Sequence, residues 1–223
     1  MPVQIMPPPQ SEAELLARCK AIEGMSFSQL AAEQKLDIPL QMRQRKGLAG
    51  QLLEYALGAS AGNLAEPDFK ELQIELKTIP IGALGHPVES TYITSIPLLT
   101  IHQQTWETSQ CFAKLKKVLW IPLEGDTRIP YPHRRIGRAL LWSPNPAQEA
   151  LLKADWNHLT SQIALGQLAL LDATVGEALQ IRPKAAHSHS LCYSFDAEGN
   201  KVKTMPRGFY LRSTFTQSIL TSV

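Results

Sequence analysis

The sequence predicts an α/β fold, a mixed sheet flanked by helices, on three observations. Residues 72–77 alternate, with Leu72, Ile74 and Leu76 on one face of an extended strand and Gln73, Glu75 and Lys77 on the other. Residues 118–123, VLWIPL, form a continuous apolar run of the length expected for a buried strand. Amphipathic runs opened by capping residues separate such strands. The longest follows Asn145 and carries Leu151, Leu152, Trp156, Leu159 and Ile163 at helical spacing.

Taken in order, the proline-rich residues 1–10 are expected to be disordered or extended, and a single domain to run from 11 to 223. Ser11 with Glu14 reads as a capping box opening a helix to about Ile22, and Ser26 or Ser28 as the cap of a short second helix. A third helix carries Ala49, Leu52, Leu53 and Ala56 as its apolar stripe and ends in the glycines from Gly58 to Gly62. After Pro80, the turn IGALGHP and the run STYITSIPL predict a hairpin or meander beside the 72–77 strand. Thr105 or Glu107 is expected to start a helix ending at Lys114, Lys116 and Lys117. The stretch 125–144 is a basic loop with Arg128, Arg134, Arg135 and Arg138, its charge partly offset by Glu124 and Asp126. Leu179 and Ile181 predict a strand emptying into Arg182-Pro183-Lys184, and a hairpin turns at Glu198-Gly199-Asn200 with Lys201, Lys203 and Arg207 on it.

Composition narrows the function. A chain of 223 residues with 44% hydrophobic and 19% charged residues is an ordinary globular protein, one domain or two lobes sharing a core. The net charge of +2 excludes a polycation, so any nucleic-acid role needs its basic residues gathered on one face. No apolar stretch approaches the ~20 residues of a membrane span. The N-terminus lacks the basic-then-apolar order of a signal peptide. Cys19, Cys111 and Cys192 are few, scattered and odd in number, which predicts neither a zinc site nor a disulfide framework and favours the cytoplasm. His187 and His189 lack a third ligand nearby and are not read as a metal site.

The chemistry concentrates in EPDFKELQIELKTIP, residues 66–80. Asp68 lies just upstream of the strand that carries Glu75 and Lys77. Magnesium takes oxygen ligands and keeps several waters, so two carboxylates beside substrate phosphate oxygens can hold it. A lysine next to them can steady charge at phosphorus or orient the attacking water. The bland reading of the same residues is an exposed ion-pair face on an edge strand. Glu54, off the apolar stripe of the third helix, is either a surface glutamate or a third carboxylate near the metal. Lys46, at the start of that helix, is placed to meet a backbone phosphate with the terminal N–H groups. Arg182 and Lys184 can reach guanine O6 and N7 in a major groove, or are solvated loop cations. Alternation sets Phe209 and Leu211 on one face and turns Tyr210 to the other.

The run LLEYALGASAGNLAEPDFKELQIELKTIP, followed by WETSQCFAKLKKVLWIPLEG, LLWSPN, LQIRPKAA and PRGFYLRSTF, resembles the MutH family of DNA mismatch-repair endonucleases from about Ser11 onward. That family is related to the restriction endonucleases of the PD-(D/E)xK motif, whose wording Pro67-Asp68 and Glu75-Leu76-Lys77 fit. The resemblance implies a restriction-endonuclease-like fold with two lobes around a DNA-binding cleft. It implies Mg2+ (Mn2+ substituting) held by Asp68, Glu75 and the Leu76 carbonyl, with Lys77, Glu54 and Lys114 in the catalytic set. Lys46, Arg182, Lys184, Arg207 and Tyr210 would contact DNA, with Tyr210 sensing methylation. The implied reaction is nicking of the unmethylated strand at hemimethylated GATC by a monomer, activated by MutL with MutS upstream. Two alternatives stay open: a restriction-type enzyme that cuts both strands as a dimer, and a DNA-binding protein without turnover.

Overall fold

The computed structural model describes residues 6–36, 47–60, 66–184 and 190–221. Lys46, His187 and His189 lie outside the described residues. The chain runs α1 (Glu12–Ile22), α2 (Phe27–Glu33), α3 (Leu48–Leu57), β1 (Glu75–Ile81), β2 (Thr91–Ser95), α4 (Gln110–Leu115), β3 (Val118–Glu124), β4 (Leu140–Trp142), α5 (Pro146–Ala164), β5 (Leu179–Pro183), β6 (Cys192–Phe195), β7 (Lys201–Thr204), β8 (Arg207–Leu211) and α6 (Ser213–Thr221). It divides into two compact units, residues 1–89 with 117–143 and residues 90–116 with 144–223. The fold is α/β with a mixed sheet, as expected.

In the first unit, side-chain caps set the helix starts. Ser11 Oγ accepts the Glu14 N–H at 3.1 Å. The Glu14 carboxylate takes the Gln10 N–H instead of closing the capping box on Ser11. Ser26 and Gln29 make the full reciprocal box at α2. At the other end of α3, Gly58 adopts φ +80°, and an added Cβ would lie 2.3 Å from the Pro7 carbonyl oxygen. Arg18 donates to both Pro7 O and Leu57 O, which fixes that helix end and ties the proline-rich segment to it. The core joins Leu15, Phe27, Leu30, Leu52, Leu53 and Leu57 of the helices to Ile74, Leu119 and Ile121. The stripe of α3 is Leu48, Leu52, Leu53 and Leu57, with Ala49 and Ala56 at its margin.

The strand order of this unit is β1-β3-β4, with β1 parallel to β3 and β3 antiparallel to β4. The strand expected from residue 72 begins only at Glu75. Lys70–Leu72 form a 3-10 turn, and Gln73 sits at φ 55°, so Leu72 is not on the strand face. The expected hairpin beside β1 does not form either. Ile81 and Pro87 make a single bridge, and the ladder cannot continue through prolines that lack an N–H. β2 instead pairs with β8 in the second unit.

The second unit has the sheet order β2-β8-β5, all neighbours antiparallel, and the separate hairpin β6-β7. α4 starts at Gln110, later than expected. Thr105 and Thr108 close a local turn, and the Ser109 hydroxyl caps the helix by accepting the Phe112 N–H. α5 opens on Asn145 with a complete capping box through Gln148. Its buried face is Leu152, Asp155, Trp156, Leu159, Thr160 and Ile163, with Leu151 at the margin.

Candidate active site

β1 carries the acidic cluster because its two edges are used differently. The Glu75 N–H donates to Lys117 O, and the parallel register pairs Glu75 with Val118. Odd-numbered residues of β1 therefore bond to β3, and even-numbered ones turn their N–H and C=O to the opposite edge. On that edge the Leu76 N–H donates to Asp68 Oδ2 at 2.8 Å, and the Pro80 carbonyl accepts from Val88. The Leu76 carbonyl lies on the edge that holds Asp68. Local chain direction explains how Asp68 gets there. Phe69 bridges Ile74 around the tight 70–73 turn, which folds the segment before the strand back along it.

Glu75 is only 2% exposed, and Lys77 Nζ donates to its Oε1 at 2.7 Å. A carboxylate so buried needs a partner, so this is not the exposed ion-pair face of an edge strand. Glu54, one turn from the end of α3, is half-buried. Its carboxyl is pushed above the usual value by burial first, then by the charges of Asp68 and Glu75, with Lys77 opposing. Three carboxylates and one lysine thus share a neighbourhood in which negative charge prevails. Of the two readings of Glu54, a surface glutamate or a third carboxylate of the cluster, the structure places it beside Asp68 and Glu75.

Among the described residues, no three His, Cys, Asp or Glu side chains form a metal cage of their own. The groups that could hold a metal are instead the Asp68 and Glu75 carboxylates and the Leu76 main-chain carbonyl, all oxygen, in surplus negative charge. That suits a hard divalent cation completed by water and substrate oxygens, and not zinc. The cysteines are outside this chemistry. Cys19 and Cys111 are buried, and burial pushes the Cys19 thiol up to about 12.

Five of the remaining residues, Lys114, Arg182, Lys184, Arg207 and Tyr210, belong to the second unit. Lys114 lies half-buried in the last turn of α4. In β5, burial of Leu179 and Ile181 turns Gln180 and Arg182 to the opposite face. In β8, burial of Phe209 and Leu211 turns Tyr210 the same way. Arg182 lies 5.9 Å from the Tyr210 ring centre, Lys184 Nζ lies 4.0 Å from that of Tyr92, and the two tyrosines meet edge-on at 5.3 Å. Gly208 makes room for both rings, since a Cβ there would come within 2.9 Å of Tyr92 and 3.3 Å of Tyr210. The structure therefore gathers Arg182, Lys184 and Tyr210. Arg207 differs: alternation sets it with Phe209 and Leu211, and its Nε is buried without a hydrogen-bond partner among the described residues.

Two further residues belong to this arrangement, Tyr92 and Asp155. Tyr92 completes the aromatic-cationic cluster. Its signal was the alternation in STYITS, which turns Tyr92 away from Thr91 and Ile93. Asp155 holds the platform. Its carboxylate accepts the N–H groups of Glu177, Ala178 and Leu179, the last two at 2.7 and 2.8 Å, and so fixes the start of β5. An acid within a buried helical stripe was the available clue. Three arginines of the 125–144 stretch make contacts within the chain. Arg128 forks onto Asp126, Arg134 covers Tyr131, and Arg135 donates to Gly24 O.

The sequence is similar to those of known proteins. The family model described as DNA mismatch repair enzyme MutH matches residues 57–155. A DNA mismatch repair protein MutH of Vibrio vulnificus (strain YJ016) is 50% identical over 214 residues, covering 96% of this chain and 94% of the relative. The MutH protein of Vibrio cholerae (strain ATCC 39541) is 49% identical, covering 96% and 97%. That of Histophilus somni (strain 2336) is 47% identical over 213 residues, covering 96% and 95%.

Proposed function

Because the chain belongs to the MutH family of DNA mismatch repair enzymes, we propose that it is a magnesium-dependent endonuclease that nicks the unmethylated strand of duplex DNA at hemimethylated GATC. The observation that carries this reading is the convergence of Asp68, Glu75 and Glu54 with Lys77 in surplus negative charge.

Asp68, Glu75 and the Leu76 carbonyl would hold the cation. The bound ion would supply charge neutralisation at the scissile phosphate and acidify water near neutral pH. Lys77, held by Glu75, is positioned to orient the attacking water and to steady charge developing on the phosphoryl oxygens. In-line attack would leave a 5′-phosphate and a 3′-hydroxyl. Glu54 would add a third negative charge that favours cation binding. Lys114 would meet a DNA phosphate. Mn2+ would substitute for Mg2+, since both accept oxygen ligands.

The face of Arg182, Lys184, Tyr210 and Tyr92 would read the bases. Arg182 and Lys184 suit guanine O6 and N7, and the Tyr210 hydroxyl would distinguish an adenine amino group from a methylamino group. Lys46 would meet a backbone phosphate. A monomer with one catalytic centre gives a nick, which matches repair of one strand of a newly replicated duplex. MutL, with MutS upstream, would activate the enzyme in the cytoplasm.

The test is a supercoiled plasmid bearing one GATC site, offered with Mg2+ and MutL in unmethylated, hemimethylated and fully methylated forms. The first two should be nicked, the second on its unmethylated strand, and the third should resist. Tyr210→Ala should lower the preference for unmethylated over methylated sites by about five- to 150-fold, the ~1–3 kcal/mol of one base-pair readout. Linear products in place of nicked circles would favour a restriction-type enzyme.

A further inference from the structure

The hairpin β6-β7 carries a surface that the reading above leaves unused. Its register sets Tyr193 opposite Lys203 and Phe195 opposite Lys201, so all four side chains stand on one face. Tyr193 is 43% exposed and Phe195 38%, and both lysines are exposed. Lys201 Nζ lies 4.5 Å from the Tyr193 ring centre. On the other face Ser194 is only 1% exposed, so the hairpin presents one side outward and buries part of the other.

The hairpin is also held in place. Its turn approaches the end of α5 so closely that a Cβ on Gly166 would lie 2.1 Å from the Asp196 carbonyl oxygen. The Asp196 carboxylate is occupied inside the turn by the N–H groups of Glu198 and Asn200. Those bonds keep the Asp196 carboxylate charged and fix it in the turn with Glu198, while Lys201 and Lys203 stand on the strand beside the aromatic rings. The strands lead directly from the base-reading sheet. The Lys184 N–H donates to Pro206 O at 2.7 Å, where β7 passes into β8.

We propose that this face is a second contact for duplex DNA, independent of sequence, in which Lys201 and Lys203 neutralise backbone phosphates outside the bases read by Arg182 and Lys184 while Tyr193 and Phe195 pack on the sugars. The inference rests on the reading of the chain as a DNA endonuclease. Its chemistry follows from the alternation. Each aromatic ring is matched across the hairpin by a cation, which suits a polyanion with an apolar sugar edge. A protein partner that docks through burial would favour an apolar patch without cations, whereas Lys201 and Lys203 stand across the hairpin from Phe195 and Tyr193 here. Continuity with the base-reading sheet would let one duplex meet both surfaces.

The experiment measures affinity for short duplexes with and without GATC from 50 to 200 mM salt, by fluorescence anisotropy in Ca2+ to prevent cutting. It compares the wild type with Lys201→Ala/Lys203→Ala and Lys201→Arg/Lys203→Arg. The alanine pair should flatten the slope of log K against log salt by about 1.8, two phosphates at ~0.9 each. It should weaken both duplexes alike and leave their affinity ratio unchanged, while the arginine pair keeps the wild-type slope. Thermal melting checks that the exposed substitutions leave the fold intact. Wild-type slope and affinity in the alanine pair would overturn the proposal. Unaltered DNA affinity with lost activation by MutL would also overturn it and assign the face to a protein. A wild type that shows no preference for GATC would instead overturn the reading on which the proposal rests.

Discussion

Glu54 shows how far single residues can be read. From the sequence it was one glutamate off an apolar stripe, equally a surface residue. The structure half-buries it beside Asp68 and Glu75, whose charges, after burial, hold its carboxyl above the usual value of 4.5. The sign of its effect on stability follows. A carboxyl raised in the folded state contributes stability that is fully present below 4.5 and is lost as pH rises through the raised value. Glu54→Gln should therefore melt at higher temperature than the wild type at neutral pH in EDTA. The gap should close as pH falls below 4.5, and added Mg2+ should narrow it by stabilising the wild type more. Differential scanning fluorimetry across pH, with and without Mg2+, checks each part. Asp68, Glu75 and Lys77 were legible because their order is a motif. The pairing of Lys77 with a buried Glu75 was not, because burial depends on β3 and on the helices that cover β1.

At the scale of elements, caps and apolar periodicity predicted helices well, and the register of strands was hidden. Asn145, Ser26 and Ser11 start their helices where the sequence expects, because a side-chain cap is a local interaction. The hairpin expected after β1 fails for a non-local reason: β2 finds its partner in β8, more than a hundred residues away. Asp155 shows the same limit. It looks like a surface acid in a helix, yet it satisfies three backbone donors at the start of β5, which comes more than twenty residues later. Asp155→Ala would strip those donors of their acceptor. The expected loss is about 2–5 kcal/mol of stability. Urea unfolding monitored by tryptophan fluorescence should show the lowered midpoint. Binding to GATC duplex should fall with it, since Arg182 and Lys184 extend from the strand that Asp155 fixes.

The whole molecule divides into a first unit that carries Asp68, Glu75, Glu54 and Lys77 and a second that carries the tyrosine-cation cluster. The chain crosses between them more than once, which is why strand order could not be read from sequence order. A net charge of +2 leaves no general attraction to DNA. Any cations that meet DNA must therefore be gathered locally, as Arg182 and Lys184 are beside the two tyrosines and Lys201 and Lys203 are on one face of the β6-β7 hairpin. Among the described residues, no helix is long and apolar enough to cross a membrane. The central claim is that Asp68, Glu75 and Lys77 act together on one phosphodiester bond. The most direct measurement is the rate of nicking of a hemimethylated GATC plasmid in Mg2+, compared among the wild type, Asp68→Ala and Lys77→Ala, with duplex affinity measured in parallel. Asp68→Ala should abolish nicking, Lys77→Ala should slow it by about 10²–10³-fold, and both should still bind the duplex. Nicking at the wild-type rate by either variant would contradict the account.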